Sequence, residues 1–342
     1  MRCSRDGGWR NCPIRGRFEG EYSRPECFFL TVVVPSRPTI MKQALALAVV
    51  ILTSRAALAQ RPPAVDPAYE ASFDKWKADL VEDLKQNWLP LVGLFWLKAG
   101  DNTFGTDNAN SIVLPQASAP ARGGVFTLEG KDVNVKFATG TAATVDGKPV
   151  TTAKLDPDTG GHPSVIALGT LRMHVIRRGE RVGIRVKDLA SPAVKNYRGS
   201  EFYPLNPAFR VTATWIPSDG KKMVDVPNVL GDVTPTPVAG EAHFEIAGQK
   251  LTLQALGGDP GKGLFFIFKD QTSKTETYPP GRFLDTGAVA NNAVVLDFNE
   301  AYNPPCAVTP YATCPLPPKD NRLPVAIPAG EKYDRSRHAA HP

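Results

Sequence analysis

Between residues 66 and 90 large apolar side chains recur at every third or fourth position: Tyr69, Phe73, Trp76, Leu80, Leu84 and Trp88. That spacing lines them up on one stripe of an α-helix. Asp66 supplies an N-cap, Pro67 takes the first helical position, where its missing N–H costs nothing, and Pro90 ends the run. A single apolar stripe means that the helix lies on something, and the β-rich chain that follows is the expected partner. The stripe is a core face, not a cofactor-binding one. Beyond Gly100 the period changes to two. Short strands are predicted at residues 111–114, 124–128, 132–137, 148–150, 165–168, 171–177 and 181–186, joined by turns at Glu129-Gly130, Asp146-Gly147 and Arg178-Gly179. A polar, proline-containing seam covers residues 187–199. A second strand set follows at 209–215, 222–226, 242–246, 249–254, 264–269 and 293–297, with a tight hairpin at Ala247-Gly248. The predicted fold is mostly β: an amino-terminal helix packed on a β-sandwich over residues 60–190, then a second β-sandwich or barrel-like unit over 191–342 with an irregular, proline-rich carboxy-terminal clasp.

Residues 1–40 share none of this periodicity. They hold Cys3, Cys12 and Cys27 and many arginines, and then Met41-Lys42, an apolar run over 44–52 and Ala57-Leu58-Ala59 follow. A charged start, a short apolar stretch and an A-x-A site make a signal peptide from Met41 to Ala59, and residues 1–40 an upstream extension from a mis-assigned start. The apolar run is shorter than the roughly 20 residues needed to span a bilayer, so no stable membrane anchor is expected after processing. The expected location is secreted or periplasmic. Removing residues 1–59 takes away nine basic and four acidic side chains and leaves 31 against 30. The excess positive charge belongs to the leader, and nucleic acid drops out as a partner. Cys306 and Cys314 are the two cysteines left. In an oxidising compartment they are free to pair, and closing so small a loop is worth roughly 2.5 kcal/mol in the chain-entropy treatment.

No nucleophile elbow, H-E-x-x-H or Walker loop occurs, and no cofactor is implied. The glycine cluster over 257–263 opens no helical pattern and is expected to be a loop between strands. Asp156, Asp158 and Gly161 match the opening of a calcium loop, but its twelfth position is Ala167 rather than glutamate. His174 and His243 lie in apolar strands and are expected to be structural. Cys306 and Cys314 have no histidine near them in sequence, so no metal site is expected.

The order of TFGTDNANSIVLP, APARGGVFTLEG, TVDGKPV and VIALGTLRMHVIRRGERVGIRVKD over residues 102–187 resembles the forkhead-associated β-sandwich. Those domains read phosphothreonine with an arginine after the first loop's glycine and a serine before a histidine. Here Thr106 follows Gly105, and Ala119-Pro120-Ala121-Arg122 stands where the serine and histidine would be. What carries over is the sandwich topology. Four further segments, GLFWLKAGDNTFG, RVGIRVKD, GLFFIFKDQTSKTETYPPGRFL and LDFNEAYNPPCAVTPYATCPLPPKDNRLPVAIPAGEK, resemble an uncharacterised prokaryotic family, domain of unknown function sixteen eighty-four, from about Tyr69 to Lys332. That resemblance implies no activity or ligand, because the family has none assigned. Members without secretion signals carry similar cysteines, which weighs against a purely structural disulfide.

The last of these segments carries the densest chemistry. Residues 296–323 pack prolines, both cysteines, three asparagines and several carboxylates into backbone with no regular period, where every peptide group still needs a partner. Alternation along the preceding strand sends Leu296 and Phe298 one way and Asp297 and Asn299 the other. If Arg282 faces Asp297, the two are either a structural ion pair or half of a site. The candidate catalytic residues are therefore Asp297, as base or orienter, and Arg282, as anion clamp; Asn299, Asn303, Asn321 and Arg322 are the candidate ligand-binding residues. The same choice applies to Asp188 and Arg185, where alternation puts Arg185 and Lys187 together on a solvated face. The favoured function is a small-molecule site framed by the carboxy-terminal loop, either purely binding or hydrolase-like. The alternative is a non-enzymatic interaction module using the strands of residues 111–186, or a structural envelope protein.

Overall fold

The alternation in the first strand set builds two facing sheets. The first has six strands, in the spatial order Leu91–Trp96, Arg181–Asp188, Leu171–Arg178, Ile166–Leu168, Ala143–Val145 and Lys148–Pro149. The second has five: Ile112–Val113, Gly100–Gly105, Gly124–Glu129, Asp132–Phe137 and Thr152–Leu155. Phe126, Val133 and Val135 from one sheet meet Met173, Val175 and Ile184 from the other in a single core. The structure is a computed structural model and describes residues 65–334. The proposed extension over 1–40, the signal segment Met41 to Ala59 and residues 335–342 lie outside the described residues.

The second strand set forms smaller open sheets, and none of the sheets among the described residues closes into a barrel. Four strands run in the order Gln249–Ala255, Gly240–Ile246, Arg210–Pro217 and Ala293–Asp297; three more run Gly257–Asp259, Gly263–Phe268 and Arg282–Asp285. A separate two-stranded ribbon pairs Met223–Pro227 with Val233–Pro237. Trp215, Phe244, Leu253, Phe266, Phe268, Leu296 and Phe298 share the core of this half.

Part of that core comes from the end of the clasp. Leu323, Val325, Ile327 and Ala329 are buried and alternate with exposed Arg322, Pro324, Ala326 and Pro328. The segment is extended and is tied down by Leu323 N–H to Lys269 O at 2.7 Å and Gln271 N–H to Val325 O at 2.9 Å. Prolines at its outward positions lose no hydrogen bond, because those N–H groups would face away from the sheet. Gly330 closes the segment with φ +81°, where a Cβ would stand 2.4 Å from Ala301 O. A third cluster holds Val226, Leu256, Ile267, Tyr278, Phe283, Cys306, Ala307, Ala312 and Cys314, with Trp88 and Tyr302 against it.

The helix forms over Pro67–Asp83, with the Asp66 carboxylate accepting from Ala68 N–H at 2.9 Å. It then widens into one π-helical turn, Leu84–Trp88. Its stripe rests mainly on the carboxy-terminal half. Phe73 stacks on Trp76 and meets Phe202 edge-on, Trp76 reaches Tyr302, and Tyr69 donates to Asp297. Its far end reaches the sandwich, through Lys187 Nζ to Asn87 Oδ1 at 3.0 Å and the Arg185 guanidinium 5.8 Å from the Trp88 ring.

Candidate functional site

The six candidate side chains do not converge. Arg282 is sealed, with 1% of its surface exposed, and its partner is Asp270 at 2.5 Å rather than Asp297. Its guanidinium also donates to the Ile327 and Ala329 carbonyls and lies 5.1 Å from the Phe268 ring. It pins the extended end of the clasp and opens onto no solvent. Asn321 is equally buried: it accepts from Gln254 N–H at 2.8 Å and donates to Gln254 O and Ile267 O, both at 2.9 Å. Arg322 is exposed on the outward face of the same segment.

Asp297 lies elsewhere. It caps the short turn Phe298–Glu300, accepts the Tyr69 hydroxyl at 2.7 Å and pairs with Arg210 Nε at 3.2 Å. Asn299 joins it at 3.0 Å and exchanges hydrogen bonds with the Asn206 backbone. Asp297, Tyr69, Trp76, Arg210 and Glu300 border a cleft of about 430 Å³. Burial, reinforced by Asp297, raises the Glu300 carboxyl to about 7. Asp297 is thus already held by three side chains, which suits an orienting role in joining the helix to the second unit.

A different cavity, of about 510 Å³, opens where three parts of the chain meet. The helix end contributes Leu80, Asp83, Leu84, Asn87 and Trp88. The strands Leu171–Arg178 and Arg181–Asp188 contribute Arg178 and Arg185. The clasp closes it with Tyr302, Asn303, Thr313 and Cys314. The wide turn after the helix places Asn87 and Trp88 on the rim, a use to which π-helical turns are often put. Much of the wall is aliphatic or aromatic.

Arg185 is the distinctive group. Alternation predicted a solvated face for it, but the helix end and the clasp cover that face, and Arg185 is only 7% exposed. Its Nε has no hydrogen-bond partner, and among the described residues its guanidinium has no ion pair. Burial, then the neighbouring Arg178, pull its pKa below the ordinary arginine value. Arg178 is already committed, to Asp158 at 2.7 Å and Thr313 Oγ1 at 2.9 Å. Asp158 is thereby engaged as an ion-pair partner. His174, directly opposite Arg185 in the adjoining strand, is driven down to about 4 by burial and then by Arg185, so it stays neutral. Asn303 donates to Lys332 O at 2.9 Å and is held through its own N–H by Glu331, while its buried Oδ1 has no partner. Of the candidate residues named from sequence, Asn303 and Cys314 reach this cavity. Arg185, at this cavity, has from sequence the same choice of structural or functional role as Arg282 and is placed on a solvated face, because strand alternation shows which face a residue occupies but not what covers that face.

Cys306 and Cys314 lie side by side as free thiols. Cys306 N–H donates to Cys314 Sγ at 3.2 Å, and Cys314 N–H donates to Cys306 Sγ at 3.3 Å. The adjacent Cys314 thiol, helped by the Cys314 N–H and Arg185, lowers the Cys306 pKa against the effect of burial. Cys314 is pushed up in turn, first by its hydrogen bond with the Cys306 sulfur, then by burial and by the charge of a neighbouring thiolate.

Residues 195–332 match the model of a family described as protein of unknown function (DUF1684). No curated protein matches the chain. Among solved structures, the chain is similar to the solution NMR structure of an uncharacterised protein of Haloarcula marismortui. The two are 29% identical over 41% of this chain and 79% of that one, with a TM-score of 0.35. It is also weakly similar to forkhead-associated domains. One, from a study of phosphothreonine-dependent interactions, is 19% identical over 28% of this chain and 92% of its own length, with a TM-score of 0.20. Another, the FhaA domain complexed with the intracellular domain of Rv3910, is 19% identical over 28% and 97%, again at 0.20.

Proposed function

We propose that the chain binds a small anion with an apolar body in the cavity between the helix end, the sandwich and the clasp. The observation that carries this reading is Arg185, a nearly buried cation with no ion pair among the described residues, in a space of about 510 Å³. Keeping an arginine dry and unpaired is costly, and a bound carboxylate or similar group would relieve that cost. Leu80, Leu84, Trp88, Phe265 and Phe283 would cover the apolar body, and Asn303 Oδ1 would accept a donor from the ligand. Volume, apolar lining and a few convergent polar groups are the usual marks of a small-molecule site. If the segment from Met41 to Ala59 directs export, the ligand is one met outside the cytoplasm.

Binding is favoured over hydrolysis because Arg282 and Asp297 share no cavity. It is favoured over an interaction surface on residues 111–186 because the large apolar residues exposed there are Val113 and Val165. Titration calorimetry with benzoate, octanoate and inorganic phosphate tests the proposal. Benzoate or octanoate should bind saturably and phosphate should not, and Arg185→Met should abolish the binding. Binding that survives Arg185→Met, or binding by none of the three, would overturn it.

A further inference from the structure

The two thiols next to this cavity have no role in anion binding as such. They are the only cysteines in residues 65–334, and their surroundings fix both of them. Cys306 lies in the one-turn helix Pro305–Ala307, whose ends are tied by Ala307 N–H to Pro304 O at 2.8 Å and Thr309 N–H to Pro305 O at 3.1 Å. Cys314 is held by Val229 N–H on its carbonyl at 3.1 Å, and the next residue, Pro315, bridges to Asn228. The reciprocal N–H to sulfur bonds hold the side chains against each other across the intervening loop. Cys314 lines the cavity, whereas Cys306 lies behind it in the third core. Arg185 lines the same wall and is close enough to act electrostatically on both sulfurs.

We propose that Cys306 and Cys314 form a thiol–disulfide exchange site that opens onto the cavity and reacts with small anionic disulfides seated there by Arg185. This rests on the anion-binding reading and names the chemistry at that site. Exchange requires a thiolate, an accessible disulfide and a second thiol to resolve the mixed disulfide. Cys306 ionises first, releasing its proton to solvent, and its thiolate takes the Cys314 proton as Cys314 attacks one sulfur of the bound disulfide. The substrate S–S bond breaks, and the first half leaves as a thiolate. That thiolate takes the proton back from Cys306. Cys306 then attacks Cys314 Sγ, the mixed disulfide breaks, and the second half leaves as a thiolate that is protonated from solvent. Two protein thiols are oxidised to one disulfide, and one substrate disulfide is reduced to two thiols. The reverse sequence restores the dithiol.

The test uses the full chain, reduced and then equilibrated across a series of ratios of reduced to oxidised glutathione. Free thiols are trapped by alkylation, and the peptides carrying Cys306 and Cys314 are followed by mass, so that Cys3, Cys12 and Cys27 do not confuse the count. Both thiols should disappear together in one reversible transition. Cys306→Ser should stop at a glutathione adduct on Cys314, whereas Cys314→Ser should leave the recessed Cys306 unmodified. Arg185→Met should slow oxidation by glutathione disulfide at least tenfold more than oxidation by uncharged 2-hydroxyethyl disulfide. Thiols inert to both disulfides in the folded chain, an irreversible reaction, or equal slowing with both disulfides would each overturn the proposal. Anion binding by the wild type separates the two readings. If it binds benzoate or octanoate while its thiols fail to exchange, the anion site stands and the exchange site falls. If it binds neither anion, the site reading itself has failed.

Discussion

Arg282 shows how a residue with the right chemistry can be structural. Its guanidinium and the Asp270 carboxylate are both fully enclosed, and two carbonyls of the clasp take further donors, leaving Nε without a hydrogen-bond partner. Truncating one member strands the other charge, so Arg282→Met should cost about 3–5 kcal/mol in urea unfolding, and adding Asp270→Leu should recover part of that loss. Glu331 makes a pH-dependent contribution. Burial raises its carboxyl from 4.5 to about 7, against the opposing pull of Asn303, Ser200 and Arg282. A raised folded pKa means that its contribution is complete below pH 4.5 and is lost as pH rises through about 7. Glu331→Gln keeps an acceptor for Asn303 N–H but does not titrate. The stability difference between wild type and variant should therefore move steadily in the variant's favour from pH 4.5 to 7.5, and a flat difference would contradict the assignment. Taking that difference removes the slopes of the same sign from Glu300 and of opposite sign from His174.

The clasp is more regular than its sequence suggests. Residues 321–330 alternate like a strand, but Pro324 and Pro328 hide the pattern from a reading that treats proline as a strand breaker. Ile327, fully buried in the second core, should be essential: Ile327→Ala should lower stability by about 2–5 kcal/mol, the range for removing a buried aliphatic side chain. A value near zero would mean that the clasp is an appendage. The helix from Pro67 was legible because its cap, stripe and stop agree, and the long strands around Leu171 and Arg181 were legible because their alternation is strong. Arg282–Asp285 was missed because it is buried on successive positions, and Gly100–Gly105 because its polar exterior and terminal glycines mimic a loop. Gly281, immediately before Arg282, has φ +134°, and a Cβ there would stand 2.6 Å from Phe268 O, so the apparent turn signal of Pro-Pro-Gly also marks a close approach of two strands.

The molecule gathers its chemistry where the helix end, the sandwich and the clasp meet, at a junction that no single segment announces. Sequence named the clasp as the frame of a site and included Asn303 and Cys314, but it looked for the cation at Arg282. Arg185 is separated from Cys314 by most of the second unit, and only the fold brings them together. Other buried cations fit the same logic in reverse: Arg282 has its counter-ion inside the protein, whereas Arg185 would find one in a ligand. An unpaired buried charge kept for binding should cost stability in the empty protein. The most direct measurement is therefore the unfolding free energy of Arg185→Met beside its affinity for benzoate and octanoate. The account predicts a variant more stable than the wild type, on the order of 1 kcal/mol or more, that no longer binds either anion. A variant that is less stable and binds as before would contradict it.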